Sequence, residues 1–354
     1  MTRPTRQVNV KPMEIPAPPA RTNAQDAVLP VLTDAEIHTA RGYVAASRAA
    51  STQKAYAADW RRFETWCQER AAPALPASPA LVAVYLSVLG TNGLAPPSIA
   101  RALAAIAHHH KQARLTPPHR ADGGSVATDV LAGIRRSRIT APDRKAAADA
   151  DIVLQLLRSI EGDGLAALRD RALIAFGMAL AARRSELVAL DVADLAWEAQ
   201  GLRVTIRRSK TDQEGDGAVV AVPEGRRLTP LAHLRAWLAA ASIAEGPLFR
   251  PLWKGGPHPR LAGASPAGGG RVRDARLSGH AVARIVQARA AAAGLDPARY
   301  AGHSLRAGFV TAAARAGADV WKIQQVSRHQ SLQVLASYVR DAHLFEGHAG
   351  EGFL

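Results

Sequence analysis

Apolar residues recur at helical spacing along almost the whole chain, and strand-like alternation is confined to residues 192–222. Tyr56, Trp60, Phe63 and Cys67 fall at i, i+4, i+7 and i+11 and so share one helix face. Leu81–Leu89 forms a second apolar helix. Pro96 and Pro97 open a third through Ile99, Leu103 and Ile106, and Val126, Val130, Leu131 and Ile134 mark a fourth. Further along, helices are expected through Ile152, Leu156 and Ile160, over Leu165–Ala182, over Leu228–Ile243 and over Val282–Ala293. The strand candidates are Val192–Trp197, Leu202–Arg207 and Ala218–Val222, with a hairpin-like loop from Arg208 to Gly215. The pattern predicts a mainly α fold with a small antiparallel β-sheet.

Local signals divide the chain. Residues 1–32 are rich in Pro, Thr and Ala, lack periodicity and read as a flexible arm. Thr33 and Glu36 form a capping box that opens a helix running to about Ala46. A helical domain is expected over 33–140, a basic linker over 141–150, a second domain over 151–340 and a tail over 341–354. Gly255–Gly270 reads as a mobile surface loop. His108, His109 and His110 are adjacent, so a helix cannot turn all three toward one metal ion. They are expected to form a polar or solvated helix end.

The 354 residues carry a formal charge of +15, with a pI of about 10.8. The excess is spread over the chain, +8 in residues 1–140 and +7 in the rest, and Arg outnumbers Lys 38 to 7. Such a balance is the footprint of a polyanion binder, and guanidinium suits bidentate phosphate contacts. The single cysteine, Cys67, excludes an internal disulfide and a cysteine zinc cluster. No apolar run approaches the ~20 residues of a bilayer span, and no apolar core follows the basic N-terminal residues. The expectation is a cytoplasmic, nucleoid-associated protein without a membrane partner. There is no P-loop and no dinucleotide fingerprint.

Near the C-terminus an ordered set stands out: His303-Ser304-Leu305-Arg306, then Ser327-Arg328-His329, then Tyr338 nine positions after that histidine. Three short helices carry it: Ser304–Ala316 closed by Gly317, one starting at Asp319, and one over Ser331–Val339. The set resembles the C-terminal segment of the tyrosine recombinases, the phage integrase family. In that family His-x-x-Arg is followed by Leu-Gly-His and by a tyrosine at this spacing, and Ser327-Arg328 stands here where Leu-Gly is usual. Upstream, Arg183-Arg184-Ser185-Glu186-Leu187 resembles the family's Arg-x-Ser-Glu-Leu box, with Ala-Ala in place of the usual Gly-Leu before it. Lys210 lies in the hairpin loop where the family keeps a lysine. Thr52, Ala55-Tyr56, Asp59-Trp60 and Phe63 resemble the first helix of its SAM-like core-binding domain.

The resemblance implies a two-domain recombinase that cleaves and rejoins DNA through a 3′-phosphotyrosyl link, with Tyr338 as nucleophile. A phenol with its ordinary pKa of about 10 is a weak nucleophile unless its proton is removed and the developing charge is stabilised. Arg183 and Arg306 would stabilise the phosphate, Lys210 would protonate the leaving oxygen, and His303 and His329 would contact the phosphate or assist the tyrosine. Glu186 would orient its neighbours. No metal or nucleotide cofactor is implied. Lys54, Arg61, Arg101, Lys111, Arg135, Arg136, Arg138 and Arg208 are candidate DNA contacts. The implied partners are a specific double-stranded DNA site, a homotetramer on paired sites, and an accessory DNA-bending or directionality protein. Two alternatives stay open: type IB topoisomerase-like DNA relaxation, and a non-catalytic DNA-binding regulator derived from a recombinase.

Overall fold

A computed structural model of the chain describes residues 33–46, 49–137, 145–207, 217–253 and 271–342. The proposed arm, Arg138, the Arg208–Gly215 loop with Lys210, the Gly255–Gly270 loop and the tail beyond residue 342 lie outside these residues. The chain divides into two compact units, Met1–Ala141 and Pro142–Leu354.

The first unit comprises α1 (Asp34–Ala46), α2 (Ala50–Gln68), α3 (Pro79–Thr91), α4 (Pro96–Gln112) and α5 (Ser125–Ser137). The capping box at α1 is present: the Thr33 N–H donates to Glu36 at 2.7 Å, and the Glu36 N–H donates to Thr33 Oγ1 at 3.2 Å. Trp60, Phe63 and Cys67 of α2 are buried together, joined by Trp66, against Tyr85, Leu86, Ile99 and Ile106. His110 departs from the sequence reading. It is fully buried, its Nδ1 lies 2.8 Å from the Ile106 carbonyl, and its Nε2 accepts the Ala77 N–H at 3.0 Å. His109 stacks on Trp60 with ring centroids 4.3 Å apart. These rings are core and wall residues because the neighbouring loop supplies a backbone donor that a buried imidazole can satisfy.

The second unit is built around α7 (Leu165–Ala179), buried along much of its length. α6 (Ala150–Arg158), α9 (Pro230–Ala240) and α11 (Gly302–Arg315) pack on α7, and α10 (Gly279–Ala292) packs on α6 and α11. Trp237 of α9 is fully buried, and its indole donates to the Leu248 carbonyl at 2.9 Å. β1 (Leu195–Glu198), β2 (Gly201–Ile206) and β3 (Ala218–Pro223) form an antiparallel meander with Leu202 opposite Val222 and Val204 opposite Val220. Those four side chains point into the core. The first strand starts later than expected. Residues 192–194 form a single 3-10 turn, closed by the Asp191 N–H donating to Asp194 at 2.9 Å.

Two boundaries position the site. α7 stops at Ala179, short of the expected Ala182, because Ala181 takes a left-handed conformation (φ 48°). Residues 145–149, expected in the linker, instead line α11. The Ala148 N–H donates to Ser304 O at 2.9 Å, and a Cβ on Gly308 would lie 1.7 Å from the Ala148 carbonyl. Only glycine permits that approach. α12 (Val320–Ser327) and α13 (Leu332–Ala342) follow, and Leu335 of α13 clusters with Val310 and Ala314 of α11 and Ile323 of α12. Among the described residues no helix is long and apolar enough to cross a membrane.

Candidate active site

Four chain segments converge. The first is the turn into α8 (Arg184–Ala189), with Arg183 as its N-cap. Glu186, in the first turn, accepts the Arg183 backbone N–H at 3.0 Å and the Arg183 Nη1 at 2.6 Å. A carboxylate there caps the helix and faces the positive end of its dipole. Glu186 is almost fully buried. Burial alone would raise its pKa, but the Arg328 charge and the hydrogen bonds and charge of Arg183 outweigh this and hold it below the usual carboxylate range.

α11 supplies His303 and Arg306. Arg306 is buried, and its Nη1 donates to the Ala181 carbonyl at 2.8 Å, so the left-handed turn after α7 has a direct use. Its Nη2 is buried with no partner among the described residues. Burial, with the neighbouring Arg183 charge, pushes its pKa down to about 10. It therefore stays a cation at neutral pH, with one donor unused. A buried donor left unpaired is costly, and such a group is best explained by an acceptor that arrives with a ligand.

α13 supplies Tyr338, half-buried, whose hydroxyl lies 3.4 Å from His303 Nε2. His303 sits at the rim. Crowding of its ring by the surrounding protein, then the Arg306 and Arg183 charges, holds its pKa below the ordinary value.

The α12–α13 turn supplies His329, its ring centroid 6.2 Å from that of Tyr338. Its Nδ1 lies 2.8 Å from the buried Ser327 Oγ, and its carbonyl accepts from Gln324 at 2.8 Å. Burial, then the charges of Arg306 and Arg183, pushes its pKa down to about 4, so it is neutral at physiological pH.

Arg183, Glu186, His303, Arg306, His329 and Tyr338 thus meet in one place, while Lys210 and Arg208 lie outside the described residues. Two members were missed in the sequence, Ser327 and Arg328. Arg328 adopts a left-handed conformation (φ 55°, ψ 43°), which costs a non-glycine residue about 1–2 kcal/mol. Its side chain nevertheless turns inward and donates to Glu186 Oε2 at 2.9 Å and to the Val326 carbonyl at 2.8 Å. The available signal was an arginine standing in a turn where glycine is at ease.

Of the candidate DNA contacts in the first unit, Lys54, Arg61, Lys111, Arg135 and Arg136 are exposed. Arg101 is also exposed but is already engaged: its Nε and Nη2 donate to the buried Asp59 at 2.7 and 3.2 Å, which raises its pKa. Arg138 lies outside the described residues.

Residues 148–344 match the phage integrase family model, a span that contains the whole site. An integrase/recombinase xerD homolog from Selenomonas ruminantium is 33% identical over 305 residues, covering 86% of this chain and 85% of its own. The chain belongs to the phage integrase family, the tyrosine recombinases. Among solved structures, the lambda integrase dimer bound to a COC′ core site superposes with a TM-score of 0.53 at 16% identity, covering 86% of this chain and 76% of its own. The XerH site-specific recombinase, in a post-cleavage complex with a palindromic difH substrate, gives 0.50 at 18% identity, with 76% and 70% covered. At these identities the likeness concerns the fold, and it agrees with the mainly helical architecture and its small antiparallel sheet.

Proposed function

We propose that this recombinase family member is a site-specific DNA strand transferase that works through a covalent Tyr338–DNA link. The observation that carries the reading is the Tyr338 hydroxyl 3.4 Å from His303 Nε2, in the same site as Arg306 with its unpaired Nη2. The scissile phosphate would occupy the space served by Arg306, Arg183 and His329. Ser327 Oγ can donate to Nδ1, an arrangement that leaves the His329 proton on the other ring nitrogen for a non-bridging oxygen. Two fixed guanidiniums then meet the charge that grows on the phosphate in the transition state.

In the chemical step Tyr338 Oη attacks phosphorus and passes its proton to His303, which the depressed pKa keeps neutral and able to accept. The bond from phosphorus to the 5′ oxygen breaks, and Lys210 protonates that oxygen as it leaves. The freed 5′ hydroxyl can attack a partner strand's phosphotyrosine, which rejoins DNA with strands exchanged. Exchange between two duplexes calls for several protomers on DNA, so a tetramer on paired sites is part of this proposal. Docking of the 344–354 tail on a neighbour belongs to it as well, as does an accessory DNA-bending protein.

Sequencing the junctions that the protein makes in its host genome supplies the target duplex. A nicked version of that duplex should trap a covalent adduct, and peptide mapping should place it on Tyr338. An adduct formed in full yield by Tyr338→Phe removes this residue from the mechanism.

A further inference from the structure

We infer that Arg328 is a positioning residue that keeps Arg183 available to phosphate, an inference that rests on the reading of this site as the place where a phosphodiester is cleaved. Glu186 is buried against Arg183, with Oε1 2.6 Å from Nη1. With no other counter-ion, the carboxylate would lock Arg183 into a closed pair and cancel most of its charge. Arg328 supplies the second cation, its Nη2 2.9 Å from Oε2, so that the two oxygens are shared between two guanidiniums. Three cations, Arg183, Arg306 and Arg328, then stand around one carboxylate, and burial together with the Arg183 charge lowers the pKa of both Arg306 and Arg328. Without Arg328 the surplus positive charge facing a phosphate would be halved.

The same side chain is also a mechanical tie. It reaches from the α12–α13 turn to the first turn of α8, and beside it the backbone carbonyl of Arg328 accepts from Arg183 Nη2 at 3.3 Å. The segment bearing His329 is thereby joined to the segment bearing Arg183. A left-handed arginine with only 11% of its side chain exposed is a strained arrangement that glycine would relieve, and strain held at such a site points to a use for the side chain.

The test uses the full-length protein without DNA, as wild type, Arg328→Gly, Arg328→Lys, Glu186→Gln and the Arg328→Gly/Glu186→Gln double variant. Inorganic phosphate is titrated in and followed through the ring NMR signals of His303 and His329. We expect phosphate affinity to fall roughly tenfold in the glycine variant, the effect of removing one charge at short range in a partly screened site. Lysine should restore part of it, since it keeps the charge but not the fork. In the Glu186→Gln background, where no carboxylate needs sharing, the glycine substitution should cost much less. A merely structural role would lower the melting temperature and leave phosphate affinity unchanged, which overturns the inference. Equal losses in both backgrounds, or no phosphate response at these rings in the wild type, overturn it too. The strand-transfer reading is decided separately by the Tyr338 adduct on the target duplex. A wild type that binds phosphate as expected but never forms the adduct refutes that reading and leaves the role of Arg328 standing.

Discussion

Asp170 and Glu186 are buried carboxylates in the same unit, each gripped by two arginines, yet they sit in unlike surroundings. Asp170 on α7 takes Arg169 through Nε and Nη2 at 3.0 and 2.8 Å, and Arg289 of α10 through Nε and Nη2 at 2.9 and 2.6 Å. Each arginine puts two N–H groups on one oxygen, Arg169 on Oδ1 and Arg289 on Oδ2. Around Glu186 the arginines are only partly used: Arg328 Nε and the nearby Arg306 Nη2 are buried without partners among the described residues, and two neutral histidines and a tyrosine stand close by. A buried ion pair is therefore no mark of function by itself. What separates the two clusters is donor capacity left over for something not in the chain.

That difference can be broken by exchanging where the damage falls. The largest effect is expected at Arg306. Arg306→Met removes a buried cation that lacks a full set of partners, so thermal stability should stay level or rise. Covalent adduct formation should fall about 10²–10³-fold, the usual loss when one oxyanion donor is removed. Binding to DNA should change far less, because affinity is spread over many phosphate contacts. If binding and cleavage fall together, Arg306 is an ordinary DNA contact.

The counterpart is Asp170→Asn. Here two arginines lose a closed carboxylate, and about 3 kcal/mol of stability should go with it, a fall of roughly 10 °C in Tm. Adduct formation measured well below that Tm should stay near wild type. A cleavage defect at low temperature would show that the α7–α10 clamp also shapes the site.

Much of this contrast was legible in the sequence. The order His303, Arg306, His329, Tyr338 with Arg183 and Glu186 upstream named one cluster, and helical spacing gave α2 to α5 and α11 to α13 within a few residues. What stayed hidden were the places where a backbone turn serves a distant partner. Leu180, Ala181 and Ala182 are as apolar as the helix before them, so nothing local signals that the chain turns there to offer a carbonyl to Arg306. His110 reads as polar, and only the fold brings the Ala77 N–H to it. Arg328 reads only as half of the Ser327-Arg328 pair that stands where Leu-Gly is usual, and its ion pair spans 142 positions of sequence.

Acid should separate the clusters as well. A histidine whose folded pKa is depressed to about 4 stays neutral in the folded chain while the unfolded chain takes up a proton, so stability falls as pH drops below about 6.5 and levels off only near 4. Glu186 adds a later loss: its contribution is complete above the ordinary carboxylate range and disappears as pH falls through its lowered folded value. His329→Gln should flatten the decline between pH 6.5 and 4 in urea unfolding. Parallel curves for wild type and His329→Gln would mean that the ring is protonated in the fold.

The smallest effect is expected in the first unit, where a third buried carboxylate tests the same distinction between closed and open cations. Asp59 is held by Arg101 at 2.7 Å, with Arg62 3.6 Å away. Arg101 is about half exposed, so solvent screens the pair, and Arg62 remains beside Asp59 when Arg101 is removed. Arg101→Ala should then cost about 1 kcal/mol of stability or less. Its forked nitrogens are engaged within the unit, so it should contribute little to phosphate binding. Each cation that neutralises a phosphate contributes nearly one unit to the slope of log affinity against log salt, so that slope should barely move in Arg101→Ala. Lys54 and Arg61, exposed on α2, are the matched comparison: if either meets DNA, its alanine variant should lower the slope by about one unit with no loss of stability. A full unit lost in Arg101→Ala would mean that the Asp59 pair opens on DNA, and a closed ion pair would then be no guide to which arginines the protein keeps for its partner.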